Sequence, residues 1–409
     1  MIFSTIPFSI YGLSISDSIF EATSGITATG ATILKNLSEH NKGILLWRSI
    51  LHFIGGIGII IFAVALSPLF KNIPIQKLFY SEFSDKSDKL IPHTSQIAIN
   101  VLIAYLSLII ICTITYYVLG MNAFDAICHA LSTIATGGFT NYDNSFGYYN
   151  SALIDYAAVI FMILGSLPFI WYLRIIYSQK IVFDEQVLWF TLIVIFSTLA
   201  ITMSINYFNS YDKTTHFFED FRYSLFSVVS LMSTTGFTNS DYSAWNPHLP
   251  GLIIFFLMFL GGCTGSTAGG IKMFRIIVSF KNISSELKRL INPFQVTVMR
   301  FNNNIISESI ICSMTAFLAL YFIIFIVSSF VISMLGFDYV TSISAAAATL
   351  TNAGPGLGEI VGPSGNYSSL PDTAKIILSV CMLLGRLEII PIITFFIVVM
   401  KGGIKWENN

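Results

Sequence analysis

Charge is the scarcest property of this 409-residue chain: Asp, Glu, Lys and Arg together make up 11% of it, against about 25% in an average soluble domain. The 21 basic and 22 acidic residues nearly cancel, leaving a formal net charge of −1. No basic face is available to neutralise a run of phosphates, which excludes a nucleic-acid binder. Cysteine is sparse as well. Cys112, Cys128, Cys263, Cys312 and Cys381 lie in apolar or Gly-rich stretches without a CxxC pair. That argues against a disulfide framework or a metal site, and reads as small buried hydrophobes. Residues 1–11 lack a basic n-region and a small-residue cleavage site, so no signal peptide is read there. His52, His93 and His129 form no cluster at ligand spacing. Paired carboxylates, a His/Asp cluster and a Ser/His dyad are missing from the apolar stretches. A membrane-embedded enzyme would need one of them, so no enzyme and no cofactor are expected.

What the chain has in excess is apolar residue, 54% of it. Its solvent is mostly lipid, where the unit is a run of about 20 apolar residues crossing about 30 Å of hydrocarbon. Spans are read near 47–70, 96–119, 152–177, 186–207, 249–280, 305–335 and 374–400. Between them, segments near 13–27, 122–135, 219–233 and 339–351 are too short and too rich in Ser, Thr and Ala to cross. They fit re-entrant helices that dip in and return. Segments 71–95, 174–186, 272–303 and 401–409 hold fourteen of the 21 Lys and Arg, while the opposite side holds four. The positive-inside rule then puts the re-entrant segments on the outer side. Outer Asp and Glu number 13, Glu21, Asp125 and Asp155 among them. They suggest either a negative vestibule that concentrates cations or ordinary loop solubility. His52 and Arg48, at i,i+4, are read as packed or interfacial.

Four short strings recur: TATGAT (27–32), ATGGFTN (135–141), STTGFTN (233–239) and TNAGPG (351–356). Their aligned glycines, Gly30, Gly138, Gly236 and Gly354, are 108, 98 and 118 residues apart. In three of the quarters another glycine stands 18 residues upstream, at Gly12, Gly120 and Gly336. The unit reads as span, short re-entrant helix, Thr/Gly loop, span. A dehydrated cation needs a ring of oxygens in place of its water, and backbone carbonyls supply one where small residues let four copies meet on an axis. Thr hydroxyls would add oxygens at the same radius, and the short helices would aim their negative ends at the ion. Tight turns or small-residue helix packing are the alternative for any one string. Four evenly spaced copies favour the ring.

On these strings, and on LLWRSILHFIGGIGII (45–60), FLGGCTGSTAGGIK (259–272) and MLLGRLEIIP (382–391), the chain resembles the Trk/Ktr/HKT superfamily of potassium transporters, and within it the TrkH type of membrane subunit. The resemblance covers nearly all of 12–405. It implies an all-α polytopic membrane protein with four span–pore-helix–span repeats around one central pore. It also implies filter carbonyls from Ala28, Thr29 and Gly30, from Thr136, Gly137 and Gly138, from Thr234, Thr235 and Gly236, and from Asn352, Ala353 and Gly354. The fourth loop, with Asn352 and Pro355, departs from the Thr/Gly pattern.

Two features are expected below the filter. Residues 261–270 (GGCTGSTAGG) carry five glycines in the middle of a span, each costing a helix up to about 1 kcal/mol relative to Ala. An unwound loop inside the membrane must be buried or line an aqueous path. A P-loop reading fails, because Gly265 is followed by Ser266 and not by Lys. By resemblance this segment is a gate, with Gly261, Gly262, Gly265, Ser266, Thr267, Gly269 and Gly270 as its residues; a packing kink with no moving part is the alternative. Arg386 sits 12 residues into the last span, where a charge costs at least about 2.5 kcal/mol unless it faces a cavity or a partner. By resemblance it points into the pore and meets the gate. The alternative is a structural ion pair with Glu388 or another acid.

The expected function is potassium uptake across the cytoplasmic membrane. The units are 1–70 (repeat 1, incomplete outer helix), 71–177 (linker and repeat 2), 178–280 (repeat 3 with the Gly-rich loop) and 281–409 (linker, repeat 4 and short tail). The resemblance further implies a homodimer in lipid and a separate cytosolic nucleotide-binding regulatory subunit, with 272–303 as a docking surface. Shifted by 108, Met1 corresponds to Ile109, so the first outer helix is expected only as its last turns. The competing expectations are a proton- or sodium-coupled symporter, which would normally show two halves rather than four quarters, and a shortened, non-conducting relative.

Overall fold

The structure is a computed structural model and describes residues 2–66, 94–178, 183–209, 217–245, 249–294, 298–302 and 304–387. Among these are fifteen α-helices. They run α1 (Ile2–Ile10), α2 (Ile15–Ile26), α3 (Lys42–Leu66), α4 (Thr94–Val118) and α5 (Ala123–Ile134); then α6 (Ala152–Ser166), α7 (Phe169–Ser178), α8 (Glu185–Asn209), α9 (Phe217–Met232) and α10 (Leu249–Phe259); then α11 (Met273–Ile291), α12 (Glu308–Met334), α13 (Tyr339–Leu350), α14 (Gly358–Val361) and α15 (Asp372–Arg386). A small antiparallel hairpin, β1 (Arg300–Phe301) with β2 (Asn304–Ile305), joins α11 to α12. Most of the linker read at 71–95, the tail at 401–409, Glu388 and His93 lie outside the described residues.

Among the described residues, Ala98–Val118, Glu185–Tyr207 and Glu308–Met334 are long and apolar enough to cross a membrane. On α4, Ile103, Ile110 and Ile114 are exposed while Tyr105, Cys112 and Tyr116 are buried. Lipid tails match the exposed isoleucines, so this face needs no protein partner. The stretch read as one span at 152–177 is instead two helices bent by 90°. The cause is local: Leu167 is extended at ψ 156°, as the residue before a proline prefers, and Pro168 has no N–H to continue the ladder.

The short helices start where the sequence marks them. Ser14, Asn122 and Asp338 each accept a hydrogen bond from the backbone N–H three residues on, satisfying a donor that a first turn leaves free. Each helix following a Thr/Gly loop packs against the short helix of the next quarter: α3 on α5, α6 on α9, α10 on α13, and α15 back on α2. Small residues permit this closeness. A Cβ on Gly56 of α3 would strike Ala135 at the end of α5. Small residues also bring each helix onto the short helix of its own quarter, where a Cβ on Gly55 would strike the Ile26 carbonyl and one on Gly385 the Leu350 carbonyl. The order of contacts is circular, so the last helix covers the first short one.

Candidate ion pathway

The four short helices end alike. Ala28, Thr136, Thr234 and Asn352 take left-handed φ values of 49°, 51°, 54° and 58°. The following residue donates back five positions: Thr29 to Ser24, Gly137 to Ser132, Thr235 to Ser230 and Ala353 to Ala348, each at 2.9 Å. This is a helix stop usually made by glycine; with a side chain present it costs roughly 1–2 kcal/mol, a strain the burial around it must offset. Two residues on, Gly30, Gly138, Gly236 and Gly354 stand at φ 80–87°. Positive φ at alternate residues turns successive carbonyls toward one side of the strand, which an ordinary extended strand does not do.

The four strands meet. A Cβ on Gly30 would collide with the Gly137 carbonyl oxygen, one on Gly138 with that of Thr235, one on Gly236 with that of Ala353, and one on Gly354 with that of Thr29. Each glycine thus abuts the next strand, and the fourth abuts the first. All four glycines line one cavity of about 90 Å³, with Arg48, Thr140 and Asp143 also at its wall.

The threonine hydroxyls behave differently from the expectation that they add oxygens to the ring. Thr29 Oγ lies 2.7 Å from Thr27 Oγ and accepts from Asn352 Nδ2 at 2.9 Å. Thr235 Oγ lies 2.7 Å from Ser233 Oγ, and Thr136 Oγ donates to the Ala135 carbonyl at 2.7 Å. Those hydroxyls are committed to neighbouring protein groups. Asn352, the outlier of the fourth loop, is a brace: its Nδ2 also donates to the Met382 carbonyl at 2.9 Å. Tyr367 donates to the Gly354 carbonyl at 2.8 Å.

Residues 261–270 run as non-helical, nearly fully buried backbone between α10 and α11. The ends of the loop are pinned together, Gly261 N–H to the Ile271 carbonyl at 2.9 Å and Ile271 N–H to the Phe259 carbonyl at 3.1 Å. The loop touches three of the four strands. Gly269 N–H donates to Thr234 Oγ at 2.6 Å, Thr136 Oγ lies 3.3 Å from Thr267 Oγ, and Gly269 sits against Asn352. It also grips the α6–α7 corner: Cys263 N–H donates to the Ser166 carbonyl at 2.9 Å and Phe169 N–H to the Gly265 carbonyl at 3.0 Å. Gly262 and Ser266 are buried within it, Ser266 Oγ donating to the Cys263 carbonyl at 2.6 Å; Gly270 takes φ 66°. Arg386, 5% exposed, donates through Nη1 to the Thr267 carbonyl at 2.7 Å and through Nη2 to the Gly55 carbonyl at 3.1 Å. Its partners in these bonds are backbone oxygens.

The chain matches the TrkH family, described as cation transport protein, over residues 5–408. It is 38% identical to the Trk system potassium uptake protein TrkI of Halomonas elongata over 384 residues, 93% of this chain and 77% of that protein. The chain belongs to the TrkH family. It is 35% identical to the Trk system potassium uptake protein TrkG of Escherichia coli over 405 residues, 97% and 80% of the two chains. Its fold aligns with the crystal structure of the potassium transporter TrkH from Vibrio parahaemolyticus at a TM-score of 0.84 and 32% identity, covering 96% of this chain and 81% of that one. TrkH-family proteins are membrane transporters and not enzymes, and the apolar helices make this chain an integral membrane protein.

Several residues of this TrkH-family site were not singled out from sequence. Glu21, read as an outer-side acid of either a vestibule or an ordinary soluble loop, is instead sealed from solvent at 0% exposure. It accepts from Arg48 Nε at 2.8 Å, from Thr32 Oγ at 3.0 Å and from Ile33 N–H at 3.0 Å. Asp125 and Asp155 are buried too, accepting from Asn141 Nδ2 at 2.6 Å and from Asn239 Nδ2 at 3.1 Å. A vestibule field therefore gains nothing from these three as free surface charges. His52 is packed, as read, stacked 4.1 Å from Phe139 and pressed against Gly137. Cys312 corrects the reading of buried cysteines, being exposed on α12.

Proposed function

We propose that the chain conducts potassium inward across the cytoplasmic membrane through the ring of carbonyls at Ala28–Gly30, Thr136–Gly138, Thr234–Gly236 and Asn352–Gly354. The observation that carries this reading is the closure of the ring, each glycine against a carbonyl of the next strand. Four strands with carbonyls turned one way can replace the hydration shell of a cation. The matched relatives are named potassium uptake proteins, and glycine at all four aligned positions keeps the ring free of side chains.

In this reading the strands form the filter, the loops open to the outside, and four pore units make up the chain. The loop at 261–270 is the gate: it packs beneath three strands, and Arg386 clamps its Thr267 carbonyl. A buried guanidinium on the path repels resting cations, and among the described residues its hydrogen bonds go to backbone oxygens, so the clamp can be exchanged without unpairing an acid there. A second copy in the membrane and a cytosolic nucleotide-binding subunit on the basic face complete the assembly we propose.

The test is ion flux in proteoliposomes loaded with potassium, rubidium or sodium. Potassium and rubidium should pass at comparable rates and sodium much more slowly. Equal sodium and potassium flux would refute the selective ring, and no flux of any of the three would refute the pathway.

A further inference from the structure

One polar side chain of the gate's surroundings takes no part in the pathway just described. Gln186, in the first turn of α8, is buried, and its Oε1 accepts the Thr264 N–H at 2.8 Å. Thr264 lies within the Gly-rich loop, where an unwound backbone N–H has no helix partner and must find one elsewhere. Gln186 supplies it from 78 residues away.

The turn that holds Gln186 is itself held from outside the membrane core. Asp184 Oδ1 accepts the Gln186 N–H at 2.8 Å. Asn302, at the tip of the β1–β2 hairpin, accepts the Glu185 N–H through Oδ1 at 2.9 Å, and its own N–H donates to Glu185 Oε1 at 3.0 Å. A side chain 117 residues away thus caps the start of α8, satisfying a donor of its first turn. Lys281 of α11 bonds both Glu185 and the Arg300 carbonyl, and Phe301 packs edge-on against Phe274 at 4.7 Å. The hairpin, the α8 turn and α11 form one hydrogen-bonded body, with the loop attached to it through Gln186.

We propose that Gln186 is a positioning residue for the Gly-rich loop, and that the β1–β2 hairpin sets the loop's place through Asn302 and the Asp184–Gln186 turn. A displacement of the hairpin, by whatever binds it, would then reach Thr264 without passing through the filter. The inference rests on reading 261–270 as a loop that moves.

Cys263 is the neighbour of Thr264 and fully buried, which makes it a reporter of loop position independent of ion flux. Cys381, buried on α15, reports general loosening. In two single-cysteine versions of the full-length protein, one keeping Cys263 and one Cys381, labelling by N-ethylmaleimide is followed in detergent. Gln186→Leu and Asn302→Ala should each speed Cys263 labelling by about five-fold, as for the loss of one hydrogen bond of ordinary net worth, and leave Cys381 unchanged. The double variant should stay within about twofold of the larger single effect, because both changes cut one link. Unchanged Cys263 labelling in Asn302→Ala, effects that multiply in the double variant, or a parallel rise at Cys381 would each overturn the proposal. The gate reading is tested apart from it, by flux through Arg386→Ala: a link without a gate raises labelling and leaves flux flat, and a gate without the link does the reverse.

Discussion

Glu21 and Arg48 form an ion pair at 2.8 Å that is sealed from solvent on both sides, at 0% and 1% exposure. Arg48 also donates to the Thr140 carbonyl at 3.0 Å and lies over the Phe139 ring at 4.0 Å. Glu21 holds the strand after Gly30 and Arg48 reaches the strand after Gly138, so the pair couples the first loop to the second. Arg48→Met leaves a carboxylate buried without its main partner, which should cost about 3–5 kcal/mol. The double variant Glu21→Gln with Arg48→Met removes both charges and should recover part of that loss. Thermal unfolding in detergent, followed by size exclusion, ranks the three proteins; a double variant less stable than Arg48→Met would contradict the account.

Gly138→Ser and Gly236→Ser should relax or abolish the proposed selectivity. At either position a Cβ meets a carbonyl oxygen of the adjoining strand, and φ values of 87° and 80° disfavour any side chain. The strand must shift, and the ring loses its radius. Discrimination of potassium over sodium should fall at least about tenfold, equivalent to about 1.4 kcal/mol. Competing rubidium and sodium flux in proteoliposomes measures it, with unchanged discrimination counting against the ring.

Arg386→Ala should raise basal potassium flux. The substitution frees the Thr267 and Gly55 carbonyls and removes a buried positive charge from the proposed path. The gain should be several-fold and present without any cytosolic partner. Flux at or below the wild-type level, in protein that still elutes as a single species, would show that Arg386 supports the structure and does not close the pore.

Asp338 offers a pH-dependent stability contribution outside the spans. Its carboxylate accepts the Thr341 N–H at 3.1 Å, and the hydrogen bonds from Thr341 hold its pKa below the ordinary 3.8. A depressed carboxylate stabilises the fold above the unfolded-state pKa and loses that contribution as pH falls through the folded value. At neutral pH Asp338→Ala should cost about 1 kcal/mol or less, as for an exposed helix cap. The gap in melting temperature between wild type and variant should narrow as the pH is lowered below 4; a gap that widens would contradict the cap.

The starts and stops of the short helices were legible because local chemistry dictates them. Gly12, Gly120 and Gly336 precede a capping Ser, Asn or Asp by two residues, and the Thr/Gly strings end the helices. What the sequence hid depends on distance along the chain. Glu21 looks like any outer-side acid until Arg48, 27 residues away, is folded against it. Gln186 precedes an apolar run and breaks no periodicity, so nothing marked it before Thr264 met it in space. Pro168 was visible, but the apolar residues around it carried a continuous span across the break. The hydroxyls of the Thr/Gly loops were readable as oxygens, yet not as oxygens already committed to Asn352, Ser233 or the loop below.

The ring closes between the ends of its own sequence order: Asn352 donates to Thr29 across 323 residues. During synthesis the first strand therefore waits for its neighbour until the last quarter has been made. A nascent chain holding two or three quarters has some of the oxygens but no closed circle of them, and contacts of such long separation form late. On the pathway we propose, ion passage waits for the last quarter, so an arrested or clipped intermediate in the bilayer conducts nothing.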